Sequence, residues 1–247
     1  MSELPFLAPL SAACGQYAFY FQHGDQAPVF TANAERFSSA SMIKLPILLA
    51  CAALERADQL DLGADCDLDG VPQVRGAGFA RSLRARRLPL HDVLLMMIST
   101  SDNLCTNLVI QAVGMPRLNQ IFTQELGLTS GSQLQRHLMD FEARCQGLDN
   151  WIAAQDCVRM FTLFSALPAS QRAWVDPMLL ACQDQSLLLR DLPRDALHFY
   201  HKTGSISGVL HDWGYTRDCR IFLLTNQVRD EAAVNQAFGQ AGRLLLG

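Results

Sequence analysis

Residues 38–49 read SSASMIKLPILL, and the lysine in the middle of this run is out of keeping with its neighbours. From Met42 onward the stretch is apolar enough for a buried helix, yet Lys44 falls in its first turn, three residues after Ser41. Residues three apart share a helix face, so a hydroxyl and an amine stand side by side. Of the 20 basic residues, 18 are arginine; the two lysines are Lys44 and Lys202. Arginine keeps its proton in proteins, whereas burial or a nearby positive charge can drive lysine to its neutral amine. A neutral Lys44 would accept the Ser41 proton and make the serine a nucleophile. The free N–H groups and dipole of a helix start favour the negative charge that then develops. A helix cap beside a snorkelling lysine spells the same four letters, so the pattern gains weight only in company.

Two further stretches supply that company. Ser101-Asp102-Asn103 lies at the junction of two helical patterns, where an Asp or Ser is expected as an N-cap. Asp102 fits that structural role; Ser101 would pass a proton to a leaving group and Asn103 would hold a substrate amide. Lys202-Thr203-Gly204 lies inside a strand pattern. A lysine there can simply block an exposed strand edge, but a chain that uses arginine almost everywhere would be expected to block it with arginine. Lys202 is therefore read as a cation for an anionic substrate group and for charge on Ser101. Gly204 would let a substrate backbone lie flat against the strand.

With 247 residues, 49% of them hydrophobic and 18% charged, the composition is that of an ordinary globular protein with a sizeable core. The net charge of −4 and the lack of a long basic run exclude a nucleic-acid surface as the leading function. Arg81, Arg84, Arg86 and Arg87 read as a solvated face. No segment is long and apolar enough for a membrane span. MSELPFLAPLSAAC has no basic residue ahead of its short apolar stretch, so no export signal is read and a cytoplasmic location is expected, or an extracytoplasmic one if the N-terminus was trimmed. The eight cysteines form no Cys-x-x-Cys pair and several sit in apolar helical patterns, which points to free, buried thiols and to no metal.

Along the chain, 16–22 and the following APVFTAN read as a hairpin. A helix begins near Ser39–Ser41. Residues 61–89 show no clear period and read as loop, and 128–154 as irregular. Between and after these lie HDVLLMMIST, LCTNLVIQAVG, PRLNQIFTQELG, AQDCVRMFTLFSAL and SQRAWVDPMLLACQ, all helical in pattern. LHFYHKTGS, HDWGYT and RIFLLTNQ follow as strands, with a turn near Gly208, and DEAAVNQAFGQAGRLLL closes the chain as an amphipathic helix. Strands at both ends can pair into one antiparallel sheet, leaving the helical middle as an insertion.

Ser-x-x-Lys, Ser-Asp-Asn and Lys-Thr-Gly in this order are the signature of class A β-lactamases and penicillin-binding proteins. The resemblance extends to Phe37 before SSASMIK, to LLMMISTSDNLCTNLVIQAVG and to KTGSISGVLHDWG, and covers nearly the whole chain from about residue 15. It implies an α+β fold: an antiparallel sheet flanked by N- and C-terminal helices with an all-helical subdomain inserted. Residues 1–37 and 193–247 would form the sheet part and 38–192 the helical part, with the site between them. It also implies roles. Ser41 would be acylated and Lys44 would activate it. Ser101 would relay the proton to the leaving nitrogen. Asn103 would bind the substrate side-chain amide, and Lys202, Thr203 and Ser205 its carboxylate. The backbone N–H groups of Ser41 and Ser205 would form the oxyanion hole. The partner implied is a small molecule with a carboxylate; no cofactor is implied.

The chain departs from the family's pattern in two places. Aligning on Arg136 puts Leu138 where a class A β-lactamase carries the glutamate that hydrolyses its acyl-enzyme. Asp140 and Glu142 are the nearby carboxylates that could replace it, or they are ordinary surface charges. Where family members place a carboxylate-binding arginine after the Lys-Thr-Gly strand, this chain has His211. The expected activity is a serine hydrolase acting through an acyl-enzyme on a lactam, amide or ester, most concretely a β-lactam. A carboxypeptidase- or esterase-like hydrolase and a non-catalytic ligand-binding scaffold are the alternatives.

Overall fold

Strand alternation at the two ends of the chain and helical periodicity between them build two layers on one sheet. The computed structural model describes residues 4–194 and 196–247. Helix α1 (Leu7–Ala13) leads into strand β1 (Cys14–His23), which turns back as β2 (Val29–Ala32). After the short β3 (Arg36–Ser38), a 3-10 turn over Ala40–Ile43 opens α2 (Lys44–Arg56). The stretch expected as loop holds two short paired strands, β4 (Asp65–Asp67) and β5 (Arg87–Pro89). Helices α3 (Leu90–Ser99), α4 (Asn103–Val113) and α5 (Met115–Gln120) follow; α5 continues as a π-helical turn, Ile121–Glu125. The region read as irregular contains α6 (Phe141–Cys145) and β6 (Trp151–Ala153), and β6 pairs with β3. Then come α7 (Ala154–Ser165), α8 (Ala169–Leu180), β7 (Tyr200–Ile206), β8 (Val209–Tyr215), β9 (Cys219–Val228) and α9 (Glu231–Leu245).

The main sheet is antiparallel, in the order β2-β1-β9-β8-β7, so strands from the two ends of the chain meet at the β1–β9 pair. This is the expected α+β architecture, with α1 and α9 packed against each other on one face. Period-two alternation gives each strand two jobs. Ala18, Tyr20, Trp213, Phe222 and Leu224 face the helical layer and share its core with α2, α3, α4 and α7. Phe19, Leu210, Ile221 and Leu223 face the other way, onto Phe6, Leu10, Val234 and Phe238 of α1 and α9. The chain has already crossed to this second core at Leu187 and Leu188, ahead of the boundary expected at residue 193. Trp213 is fully buried, and its indole N–H donates to Cys157 O at 2.8 Å, tying β8 to α7.

All eight cysteines are free, and six of them are buried or inside core clusters, in keeping with the thiol reading. Among the described residues no helix is long and apolar enough to cross a membrane.

The segment 133–150 is held in place by buried polar groups. Arg136 donates from Nε (3.0 Å) and Nη2 (2.8 Å) to Asp149 Oδ1, and Ser38 Oγ donates to the other carboxylate oxygen at 2.6 Å. Asn150 Oδ1 accepts from the backbone of Gln135 and Arg136, and Asn150 O accepts from Ser39 N at 2.8 Å. Breaking a buried ion pair by removing one partner leaves an uncompensated charge. Arg136→Ala is therefore expected to lose roughly 3–5 kcal/mol of stability, read from urea unfolding; a loss under about 1 kcal/mol would show that Asp149 is satisfied without it.

Candidate active site

The turn that carries Ser41 is gripped on its N-terminal side. Ser38 O accepts from His211 Nε2 at 2.8 Å, Ser38 Oγ reaches Asp149, and Ser39 N reaches Asn150 O. Ala40 takes a left-handed backbone conformation (φ 45°), which a non-glycine residue adopts only when its surroundings dictate it. Ser41 follows, half-buried, in the 3-10 turn, and Lys44 begins α2 one turn later.

Lys44 is fully buried, and four oxygens surround its Nζ: Ser101 O at 2.6 Å, Ser101 Oγ at 3.0 Å, Ser41 Oγ at 3.1 Å and Asn103 Oδ1 at 3.1 Å. Burial first, and the charge of Lys202 second, hold its amine well below the usual lysine range. Ser101 joins α3 to α4 with φ 55°, again left-handed, and this places both its carbonyl and its hydroxyl on Lys44. Asp102 caps α4 as its position suggested: Oδ1 accepts from Cys105 N and Oδ2 from Ala80 N. Asn103 donates from Nδ2 to Arg75 O at 3.3 Å, so the 75–80 segment lies against the same helix end.

Lys202 approaches from β7. It is fully buried and donates to Thr203 O at 2.9 Å; burial lowers its pKa from the ordinary value. Ser205 is exposed on the same edge strand. The structure thus brings Ser41, Lys44, Ser101 and Asn103 together through direct bonds, with Lys202 close enough for its charge to act on Lys44.

Other expected residues stand elsewhere or are otherwise occupied. His211 is fully buried in the interior strand β8, with Nε2 on Ser38 O and Nδ1 accepting from Thr225 N at 3.1 Å. Burial pushes its pKa down to about 4, so it is a neutral support for the Ser41 turn and has no atom left for a substrate carboxylate. Gly204 does not offer its face to a substrate. A Cβ there would lie 3.1 Å from Met42 Cγ and 3.2 Å from Ser39 O, so the absent side chain lets β7 press on the Ser41 turn. Thr203 Oγ1 gives its one proton to Asp184 Oδ2 at 2.8 Å and would have to release it to donate to a ligand. Asp140 is the N-cap of α6, accepting from Ala143 N at 3.0 Å, and Glu142 is exposed in that helix's first turn.

The loop comes to the site instead through Asn107, one helical turn beyond Asn103. Its side chain brackets Leu138, accepting from Leu138 N at 2.8 Å and donating to Leu138 O at 3.1 Å. Sequence reasoning passed over Asn107; its spacing of four from Asn103 was the available signal. Asp184 was also missed, as no local pattern marks it. Burial works to raise its pKa, but hydrogen bonds from Ser186 and Thr203 and the charge of Lys202 prevail and lower it.

The chain matches the model of the β-lactamase enzyme family over residues 6–247 and belongs to that family. A sequence search of curated proteins returns no match. Among solved structures it is similar to the β-lactamase of Sphaerobacter thermophilus DSM 20745, at 25% identity and TM-score 0.84, over 98% of this chain and 94% of that one. It is also similar to PBP-A, at 22% identity and TM-score 0.79, over 99% and 96% of the two chains. A leucine-to-glutamate mutant of PBP-A, solved as an acyl-enzyme complex with penicillin G, matches at 21% identity and TM-score 0.80, with the same coverage, 99% and 96%. The fold is that of class A β-lactamases.

The depressed Lys44 pKa has a consequence for stability. The folded chain releases this proton more readily than the unfolded chain, whose lysine titrates at about 10.4. Between the two values the unfolded state holds the extra proton, so stability rises with pH across that window, by up to about 1.4 kcal/mol per pH unit for one proton. Lys202 contributes in the same direction. Lys44→Met should flatten the rise without abolishing it, as followed by urea unfolding from neutral to alkaline pH; an unchanged slope would mean that Lys44 stays protonated in the fold.

Proposed function

We propose that the protein is a serine hydrolase that forms an acyl-enzyme on a lactam, amide or ester, with β-lactam acylation as its most concrete reaction. The observation that carries this reading is the Lys44 amine, fully buried, depressed in pKa and 3.1 Å from Ser41 Oγ. In the free-amine form it takes the Ser41 proton as the oxygen attacks the carbonyl carbon. The C–O bond forms, and the carbonyl electrons move onto oxygen, which the backbone N–H groups of Ser41 and Ser205 receive. Such donors are worth about 2.7–4 kcal/mol each when aimed at the developing charge. Ser101 Oγ, 3.0 Å from Lys44 Nζ, passes the proton on to the leaving nitrogen as the C–N bond breaks. Asn103 and Lys202 orient the substrate, the latter through N–H donors beyond the one given to Thr203 O.

The second half-reaction sets this chain apart. Asp140 is consumed in a cap and Glu142 faces solvent, while the position bracketed by Asn107 is Leu138, an apolar residue that cannot activate water. We infer that acylation outruns release and that β-lactams are bound more than turned over. The leucine-to-glutamate exchange made in PBP-A supports testing the same exchange at Leu138.

Intact mass after mixing with a penicillin or a chromogenic cephalosporin should show a lasting adduct on the native protein and none on Ser41→Ala. The absence of an adduct on the native protein would discard the lactam substrate and leave an ester or a non-lactam amide. In Leu138→Glu the adduct should decay and cephalosporin turnover should rise by roughly 10²-fold, the lower end of what a placed general base contributes. Turnover equal to the native rate would mean that position 138 does not reach the acyl bond.

A further inference from the structure

Below the Lys202 strand, on the sheet face away from Ser41, lies a second set of reactive groups that the proposed hydrolysis does not use. His201 and Asp212 are both buried, and His201 Nδ1 pairs with Asp212 Oδ1 at 3.1 Å. Asp212 Oδ2 accepts from Leu188 N at 3.1 Å, which fixes the carboxylate. Cys182, two residues beyond α8, lies against the same imidazole. A cavity of about 390 Å³ opens at Cys182 and His201, walled by Leu180, Leu189, Leu197 and Phe199. A thiol, an imidazole and a carboxylate in series form the arrangement that activates a cysteine nucleophile, and here they border a partly open pocket whose lining is both polar and apolar.

We propose that Cys182, beside His201 and Asp212, is a nucleophilic site that reacts covalently with small uncharged electrophiles of the peroxide class entering through this cavity. Thiolate sulfur attacks one oxygen of hydrogen peroxide. The S–O bond forms, the O–O bond breaks, and the departing hydroxide takes the imidazolium proton of His201 to leave as water. The sulfur is oxidised by two electrons to sulfenic acid and the peroxide is reduced by two.

The electrostatics agree with the geometry. Burial alone would raise the Cys182 pKa, but the charges of His201 and Lys202 outweigh it and hold the thiol below its ordinary value. From the sheet, His201 and Asp212 face this region and the charge of Lys202 reaches it from the strand's other face; from the 182–199 segment, Asp184, Arg190, Arg194 and His198 line the cavities beside it. The other thiols of the core are driven the opposite way by burial, Cys14 to about 11 and Cys51 to about 12. Cys145 is the exposed competitor.

The site is wired to the hydrolase centre. Gln183 N donates to Ser99 O at 2.8 Å, two residues before Ser101, and Asp184 accepts from Thr203, next to Lys202. Modification of Cys182 should therefore slow acylation at Ser41. This second effect rests on the reading of Ser41 given above; the reactivity of Cys182 does not.

The test is brief exposure of the native protein to iodoacetamide and, separately, to hydrogen peroxide with a sulfenic-acid trap, followed by peptide mapping. Near pH ~6, where an ordinary thiol is almost wholly protonated, Cys182 should label at least ~10-fold faster than Cys145, and Cys145 should close the gap as the pH rises toward ~9. His201→Gln should remove the advantage of Cys182 and leave Cys145 unchanged. If that variant does not fold, the pH profile of the native protein decides alone. Labelling of Cys182 only after unfolding, or behind Cys145 at every pH, would overturn the proposal. Penicillin adduct formation, measured before and after labelling, separates the two readings: no adduct on the unlabelled protein removes the lactam as the substrate of Ser41 and leaves the Cys182 map standing.

Discussion

A buried amine is the constraint around which this fold is arranged. Taking a lysine out of water costs several kcal/mol if it keeps its charge, and the usual outcome is loss of the proton. Four oxygens lie within hydrogen-bond distance of Lys44 Nζ, enough to partner the neutral amine, and three local devices deliver them. The Ser101 carbonyl and hydroxyl arrive together because the backbone there is left-handed. Asn103 arrives because Asp102 caps α4 and fixes where the helix begins. Ser41 arrives because the preceding residues are bonded to the sheet, to Asp149 and to Asn150. The position of Ser41 beside the Lys44 amine depends on all of these supports.

The same helix end transmits the arrangement outward. Asn103 and Asn107 lie on one face of α4, the first holding Lys44 and the second holding the backbone of Leu138. The Leu138 segment is further secured by Arg136 and Asp149, and Asp149 returns to Ser38. A closed circuit of bonds thus links the Ser41 turn, the Lys44 amine and the loop. The loop is held in register at position 138 through bonds to its backbone alone, so its rigidity does not depend on the apolar side chain there.

The sequence carried much of this, for identifiable reasons. Two lysines among eighteen arginines marked Lys44 and Lys202, because a residue type used against habit reflects a chemical need. Strand alternation at the two ends and helical periods between them were strong enough to give the α+β layering. His211, Gly204, Asp140 and Thr203 were harder. Their roles depend on which face of a strand or which end of a helix meets a partner, near in sequence as Ala143 is for Asp140 or over a hundred residues away as Ser38 is for His211. A glycine in a strand says that something comes close, and only the fold says that it is the Ser41 turn rather than a ligand. The short strands within 61–89 and 151–153 escaped because three residues are too few to show a period.

Strand β8 shows how alternation alone can divide labour. It is buried on both faces, so no polar side chain on it can be idle without cost. His211 and Trp213 point to the helical layer, and there they grip Ser38 and Cys157. Asp212, between them, points to the other face and grips His201 and Leu188. Adjacent residues of one strand therefore support two different places, the Ser41 turn on one side and, through His201, the Cys182 pocket on the other. Lys202, on the edge strand next door, lies within electrostatic reach of both, lowering the pKa of the Lys44 amine and of the Cys182 thiol at once. A charge shared in this way couples the two faces through space, and the coupling needs no movement of the sheet.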